Sequence, residues 1–103
     1  MTKSNRRNAA IALYAYNLSA APAHVRPVLD AVVRAHRALL VQTAEQLLED
    51  LAQDADDIVQ DACVAVLEGD LAISPDPVQA LDDLHAAVAR MAIAHRRRHG
   101  GLG

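Results

Sequence analysis

Phenylalanine and tryptophan are absent from this chain, and Tyr14 and Tyr16 are its only aromatic residues among 103. Its core must therefore come from alanine and aliphatic side chains, and because β-branched residues do not alternate with polar ones, helix is the expected element throughout. Cysteine occurs once, as Cys63. An intramolecular disulfide is excluded, and with no histidine or second cysteine at metal-ligand spacing around it, a reducing cytoplasm is the simplest expectation. No stretch reaches the length of a membrane span. Nor is there a Ser-His-Asp order, a glycine-rich phosphate loop or a pair of carboxylates spaced around a cleft. Nothing in the sequence supports catalysis, and no cofactor is implied.

The chain does have a hydrophobic content of 52% against 22% charge, within the range of one cooperatively folding domain. The expectation is a single all-α domain of about four helices. Its charge is segregated. Ten acids and no base lie from Asp50 to Asp83, whereas four arginines and no acid lie from Leu84 to the end. A domain that binds DNA unaided usually presents a broad basic face, and this acidic middle opposes one. DNA contact would then need a second protein.

Four helices can be placed from periodicity and punctuation. Ile11, Tyr14, Ala15 and Leu18 give a buried stripe to a first helix over Asn5–Ser19, within an N-terminal segment of residues 1–22 that Pro22 closes. Lys3, Arg6 and Arg7 followed by AAIALYAY and SAAPA imitate a secretory signal, but the apolar run is short and bracketed by Asn8 and Asn17. A second helix runs from about Arg26 or Pro27 to Asp50, with Leu29, Val33, His36, Leu40, Leu47 and Leu51 as its stripe. Asp54 is placed to cap a third helix, and Asp56 and Asp57 lie where the helix dipole favours negative charge. Its inner side is expected to be Ala55, Ile58, Val59, Ala62 and Val66, leaving Asp57, Gln60, Asp61 and Val64 outward, and Gly69 ends it. After a loop to Pro75, Asp76, Pro77, Val78 and Gln79 read as a capping box with proline at the first helical position. The fourth helix then extends to about His99, with Val78, Leu81, Leu84, Val88 and Met91 inward, before residues 100–103 form a flexible tail.

Two stretches in fixed order, DADDIVQDACVAVL from Asp54 to Leu67 and VARMAIAHRRR from Val88 to Arg98, together resemble region two of bacterial sigma factors of the extracytoplasmic-function type. The family's pattern of Asp, Ala, acid, Asp, two aliphatics, Gln and acid is similar to Asp54 through Asp61 without a gap. Its Ile-Ala-Arg, short apolar step and arginine pair look like Val88 to Arg90, Ala92 to Ala94, and Arg97 with Arg98. The likeness spans about Val25 to His99, within a core of residues 23–99. It implies a transcription protein whose third helix docks on the clamp coiled coil of core RNA polymerase through Asp54, Asp56, Asp57, Gln60, Asp61 and Val64. It further implies contact with the minus-ten region of promoter DNA, inside the polymerase complex, through Arg90, His95, Arg96, Arg97 and Arg98. By the same likeness the Asp70–Pro75 loop stands where such factors hold a flipped promoter base.

The chain departs from that pattern at Cys63 and Leu67, where the family carries aromatics, and at Leu84, where it carries tryptophan. No stacking aromatic is left on the promoter-facing helix. No helix-turn-helix pattern follows either, so the far-promoter contact would come from a separate second sigma subunit or a segment outside this sequence. A non-initiating mimic that binds polymerase or an anti-sigma factor is a second expectation, and a small helical bundle that self-associates through apolar faces is a third. Acids at a helix start and arginines at a helix end also stabilise any helix dipole. His95 and His99 are four residues apart but have no third ligand nearby in sequence, so a metal site is not expected. His36 and His85 are read as partly buried and hydrogen-bonded.

Overall fold

A computed structural model of the chain describes residues 21–99. All regular structure among these residues is helical: α1 (Val25–Leu48), a 3₁₀ helix (Glu49–Asp54), α2 (Ala55–Leu67) and α3 (Pro77–His99). The expected first helix and the tail lie outside the described residues.

Proline at position 27 is tolerated in the first turn of α1, where its missing N–H has no helical partner to lose. From there α1 buries Val25, Leu29 and Val32, then Leu40, Ala44 and Leu48. The break between these two runs is at His36, whose backbone (φ −129°, ψ 16°) leaves helical geometry. That kink takes one residue out of the expected stripe: His36, expected to be partly buried, is exposed, whereas Leu29 and Leu40 are buried and Val33, Leu47 and Leu51 pack half-buried against the core. At Glu49 the chain takes φ 55° and ψ −114°, which ends α1. The six residues of 3₁₀ helix that follow replace the expected last turn of a longer α-helix.

All five residues expected on the inner side of α2 are buried. Its C-terminus closes with Gly69 at φ 84°. There Asp70 N–H donates to the Ala65 carbonyl (2.9 Å) and Gly69 N–H to that of Val66 (3.1 Å). This paired arrangement satisfies carbonyls that the helix leaves open and calls for a residue in the left-handed region, which glycine adopts without a Cβ clash.

The connection to α3 is anchored at several points. Ile73 is buried in the core, its carbonyl accepts from His24 Nε2 (3.3 Å), and Ser74 N–H donates to Asp83 Oδ2 (2.9 Å). Pro77 is the first residue of α3, as expected. The helix buries Ala80, Leu84, Ala87, Val88 and Ala92. Leu81 and Met91 only border the core, and Val78, expected inside, is 70% exposed.

The three helices share one core in which α3 makes its most extensive contact with α1. Thr43 on α1 is hydrogen-bonded to His85 on α3 (2.8 Å), and Glu49 at the end of α1 pairs with Arg96 near the end of α3. The two long helices therefore run in the same direction. Between them α2 folds back, and its first turn meets the middle of α1 through Arg37 and Asp56 (3.0 Å). Alanines 44, 55, 62, 80 and 92 are all in the core, which lets the backbones approach closely with no aromatic filler among the described residues.

Candidate functional site

With Ile58, Val59, Ala62 and Val66 committed to the core, helical geometry leaves one outward face on α2. It carries Asp57 and Gln60, both exposed, with Asp61 and Val64 half-buried at its margin. Carboxylates and an amide at this spacing can accept from guanidinium groups on a partner helix, and such charge-assisted hydrogen bonds are directional. Asp61 and Gln60 each also interact within the fold.

The remaining two acids of the expected docking set are engaged elsewhere. Asp54 does not cap α2, since its side chain makes no cap hydrogen bond. Its carboxylate instead accepts from His95 Nε2 (2.9 Å) in a half-buried pair that joins the start of α2 to the last third of α3. Asp56 accepts from Arg37 on α1 in an exposed pair. A negative residue in the first turn still favours the helix dipole wherever its side chain turns.

The basic end of α3 divides in the same way. Arg96 spans to Glu49 (2.9 Å) and His95 to Asp54, while the His99 ring lies tilted against His95 with centroids 4.6 Å apart. Arg90, Arg97 and Arg98 are exposed. The structure therefore brings part of the acidic set and part of the basic set into one joint, and leaves Asp57 with Gln60, and Arg90 with Arg97 and Arg98, facing solvent. Those three arginines can neutralise phosphates of a strand laid on α3 without reading its bases.

In the loop from Asp70 to Pro75, Asp70, Ala72 and Pro75 are exposed around the buried Ile73. The described residues include no phenylalanine, tyrosine or tryptophan to stack on a base. Leu84, at the tryptophan position of the resembled pattern, is fully buried. Cys63 borders the core. Burial pushes its thiol up, an effect that Arg37 opposes and Asp30 reinforces.

Among the described residues no three histidine, cysteine or acidic side chains gather in a way that could hold a metal ion, and no helix is long and apolar enough to cross a membrane. His85 is partly buried and hydrogen-bonded, as expected, but its partner Thr43 and the Asp54–His95 joint were not foreseen from sequence. Each of the two bonds links residues more than 40 positions apart, and no local pattern encodes such a pairing. No protein-family model, curated protein or solved structure matches the chain.

Proposed function

We propose that this chain is a sigma-region-two-like transcription protein. It docks on the clamp coiled coil of core RNA polymerase through the outer face of α2, and within that complex it meets promoter DNA through Arg90, Arg97 and Arg98 on α3. The observation that carries the reading is the division of α2 into a fully apolar inner side and an outer face bearing exposed Asp57 and Gln60, in the one stretch that matches the family pattern without a gap. The acidic middle of the chain accounts for the need for polymerase, because an isolated phosphate backbone would be repelled by it.

The test is affinity for an isolated clamp coiled-coil fragment. Asp57→Arg with Asp61→Arg is expected to weaken binding at least about tenfold, because a desolvated charge pair replaced by like charges loses several kcal/mol. Unchanged affinity in a variant of normal helicity would end the docking reading.

A second reading, a mimic that occupies polymerase or an anti-sigma factor without initiating, is favoured by Leu84. Its complete burial puts into the core the position from which a family member would stack on an unpaired base. In reconstituted transcription the mimic lowers promoter-specific transcripts and an initiator raises them.

A further inference from the structure

The solvent side of α3 is laid out symmetrically about Ala86, which is itself exposed. Among the described residues the exposed large aliphatics are Leu39 on α1 and Val78 and Ile93 on α3, with none on α2. Val78 precedes Ala86 by eight residues and Ile93 follows it by seven. Charge divides at the same point. Both acids of α3, Asp82 and Asp83, and Asp76 just ahead of it precede Ala86, whereas Arg90, Arg96, Arg97 and Arg98 follow it. Asp82, Arg90 and Arg97 enter none of the ion pairs among the described residues.

Helical geometry gathers these side chains on one face. Val78, Asp82, Ala86, Ala89, Ile93 and Arg97 recur at steps of three and four, the spacing of a helix–helix seam. The core side is taken by Ala80, Leu84, Ala87, Val88 and Ala92, so the seam points away from α1 and α2. Ala86 and Ala89 at its centre permit close approach of another backbone.

We propose that this face of α3 is the contact between two copies of this chain, paired antiparallel about a two-fold axis at Ala86. A two-fold contact has to be self-complementary, and residues equally far from Ala86 in opposite directions meet across it. The partner's Ile93 then comes against Val78, at the rim of the apolar groove of about 430 Å³ that Val78 lines with Ala31, Ala35 and Leu81. Arg97 comes level with the partner's Asp76, and Arg90 with the partner's Asp82 and Asp83. Each of these charge contacts is of opposite sign and occurs twice by symmetry. A parallel pairing would set like charge against like. One helix on one helix buries less than a standard interface, so the dimer is expected to form reversibly with concentration. It covers Arg90 and Arg97 and leaves the outer face of α2 open, so the inference does not rest on docking to polymerase.

The test follows the mass of the full chain in solution as its concentration rises, for Asp76→Arg, for Arg97→Asp and for an equimolar mixture of the two. The wild type is expected to pass from monomer to dimer. Each single variant should dimerise about tenfold more weakly, because the axis turns one substitution into two like-charge contacts. The mixture should recover wild-type dimerisation, since a heterodimer has opposite charges at both places. A second arm uses Cys63→Ala chains carrying Ala86→Cys or, as control, Gln79→Cys. Ala86→Cys lies on the axis and is expected to form a disulfide-linked dimer under mild oxidation. Two copies of Gln79→Cys would be about 21 Å apart along the helices and should not link. Monomeric mass at every wild-type concentration would overturn the proposal and leave the face to another occupant. Failure of the mixture to recover dimer, with both variants of wild-type helicity, would overturn the antiparallel pairing, as would equal linking by Gln79→Cys.

Discussion

His95 Nε2 lies 2.9 Å from Asp54 Oδ2, and this bond fastens the residue preceding the acidic helix to the end of the basic one. The carboxylate accepts and the imidazole donates. Two residues first read as parts of separate binding surfaces are thereby partners in one joint, beside the more exposed Arg96–Glu49 pair. The joint ties together the two helices that carry the faces proposed to meet polymerase and DNA.

A double-mutant cycle on Asp54→Ala and His95→Ala is expected to show a coupling of about 1 kcal/mol in unfolding free energy, the net worth of a hydrogen bond sheltered from solvent. The same cycle on Glu49→Ala and Arg96→Ala should give less than about 0.5 kcal/mol and vanish in high salt, because both of its side chains are largely exposed. Equal couplings would refute this ranking.

Replacing Leu84 with the tryptophan of the resembled pattern is expected to destabilise the fold by about 1–3 kcal/mol or more, because Leu84 has no exposed surface and a larger side chain must overpack the core. Denaturant titration checks this. A neutral Leu84→Trp substitution would mean that the position can turn outward.

The backbone of Glu49, at φ 55° and ψ −114°, lies where a Cβ costs on the order of 1–3 kcal/mol. Glu49→Gly is expected to raise stability by about 1 kcal/mol even though the Arg96 pair is lost, and Glu49→Ala is not. Thermal melts of the two variants decide it: a glycine variant no more stable than the alanine variant would show that the backbone there is relaxed.

Burial holds the Cys63 thiol above its ordinary value of 9.0. The folded state keeps this proton more tightly than the unfolded state. The resulting stability is therefore whole below pH 9.0 and is lost as pH rises through the higher folded value. Iodoacetamide should modify Cys63 more slowly in the folded chain than in the denatured one, with the rate rising only at more alkaline pH. A rate profile equal to that of the denatured chain would exclude a sheltered thiol.

The inner face of α2 was legible residue by residue, because a short amphipathic helix between Asp54 and Gly69 has strong boundaries at both ends. The faces of α1 and α3 were less so. Large aliphatics drew the expected stripes, whereas Ala44, Ala80, Ala87 and Ala92 do much of the packing. The kink at His36 and the turn at Glu49 carry no glycine or proline to announce them. Asp54 stands at the cap position but its actual partner is 41 residues away, and Val78 continues the large-aliphatic spacing of α3 yet is 70% exposed. Of the outward acids, Asp57 stands where helical spacing put it, while Asp56 is drawn to Arg37 by a packing of α2 on α1 that spacing cannot convey.

The central claim is tested most directly by capture of core RNA polymerase from a bacterial lysate on the immobilised chain, with Asp57→Arg, Asp61→Arg and, separately, Arg97→Ala, Arg98→Ala variants beside it. Capture by the wild type and by the arginine-to-alanine variant, and none by the charge-reversed variant, is the predicted result. Capture by no form of the chain, or equal capture by all three, would contradict docking through α2.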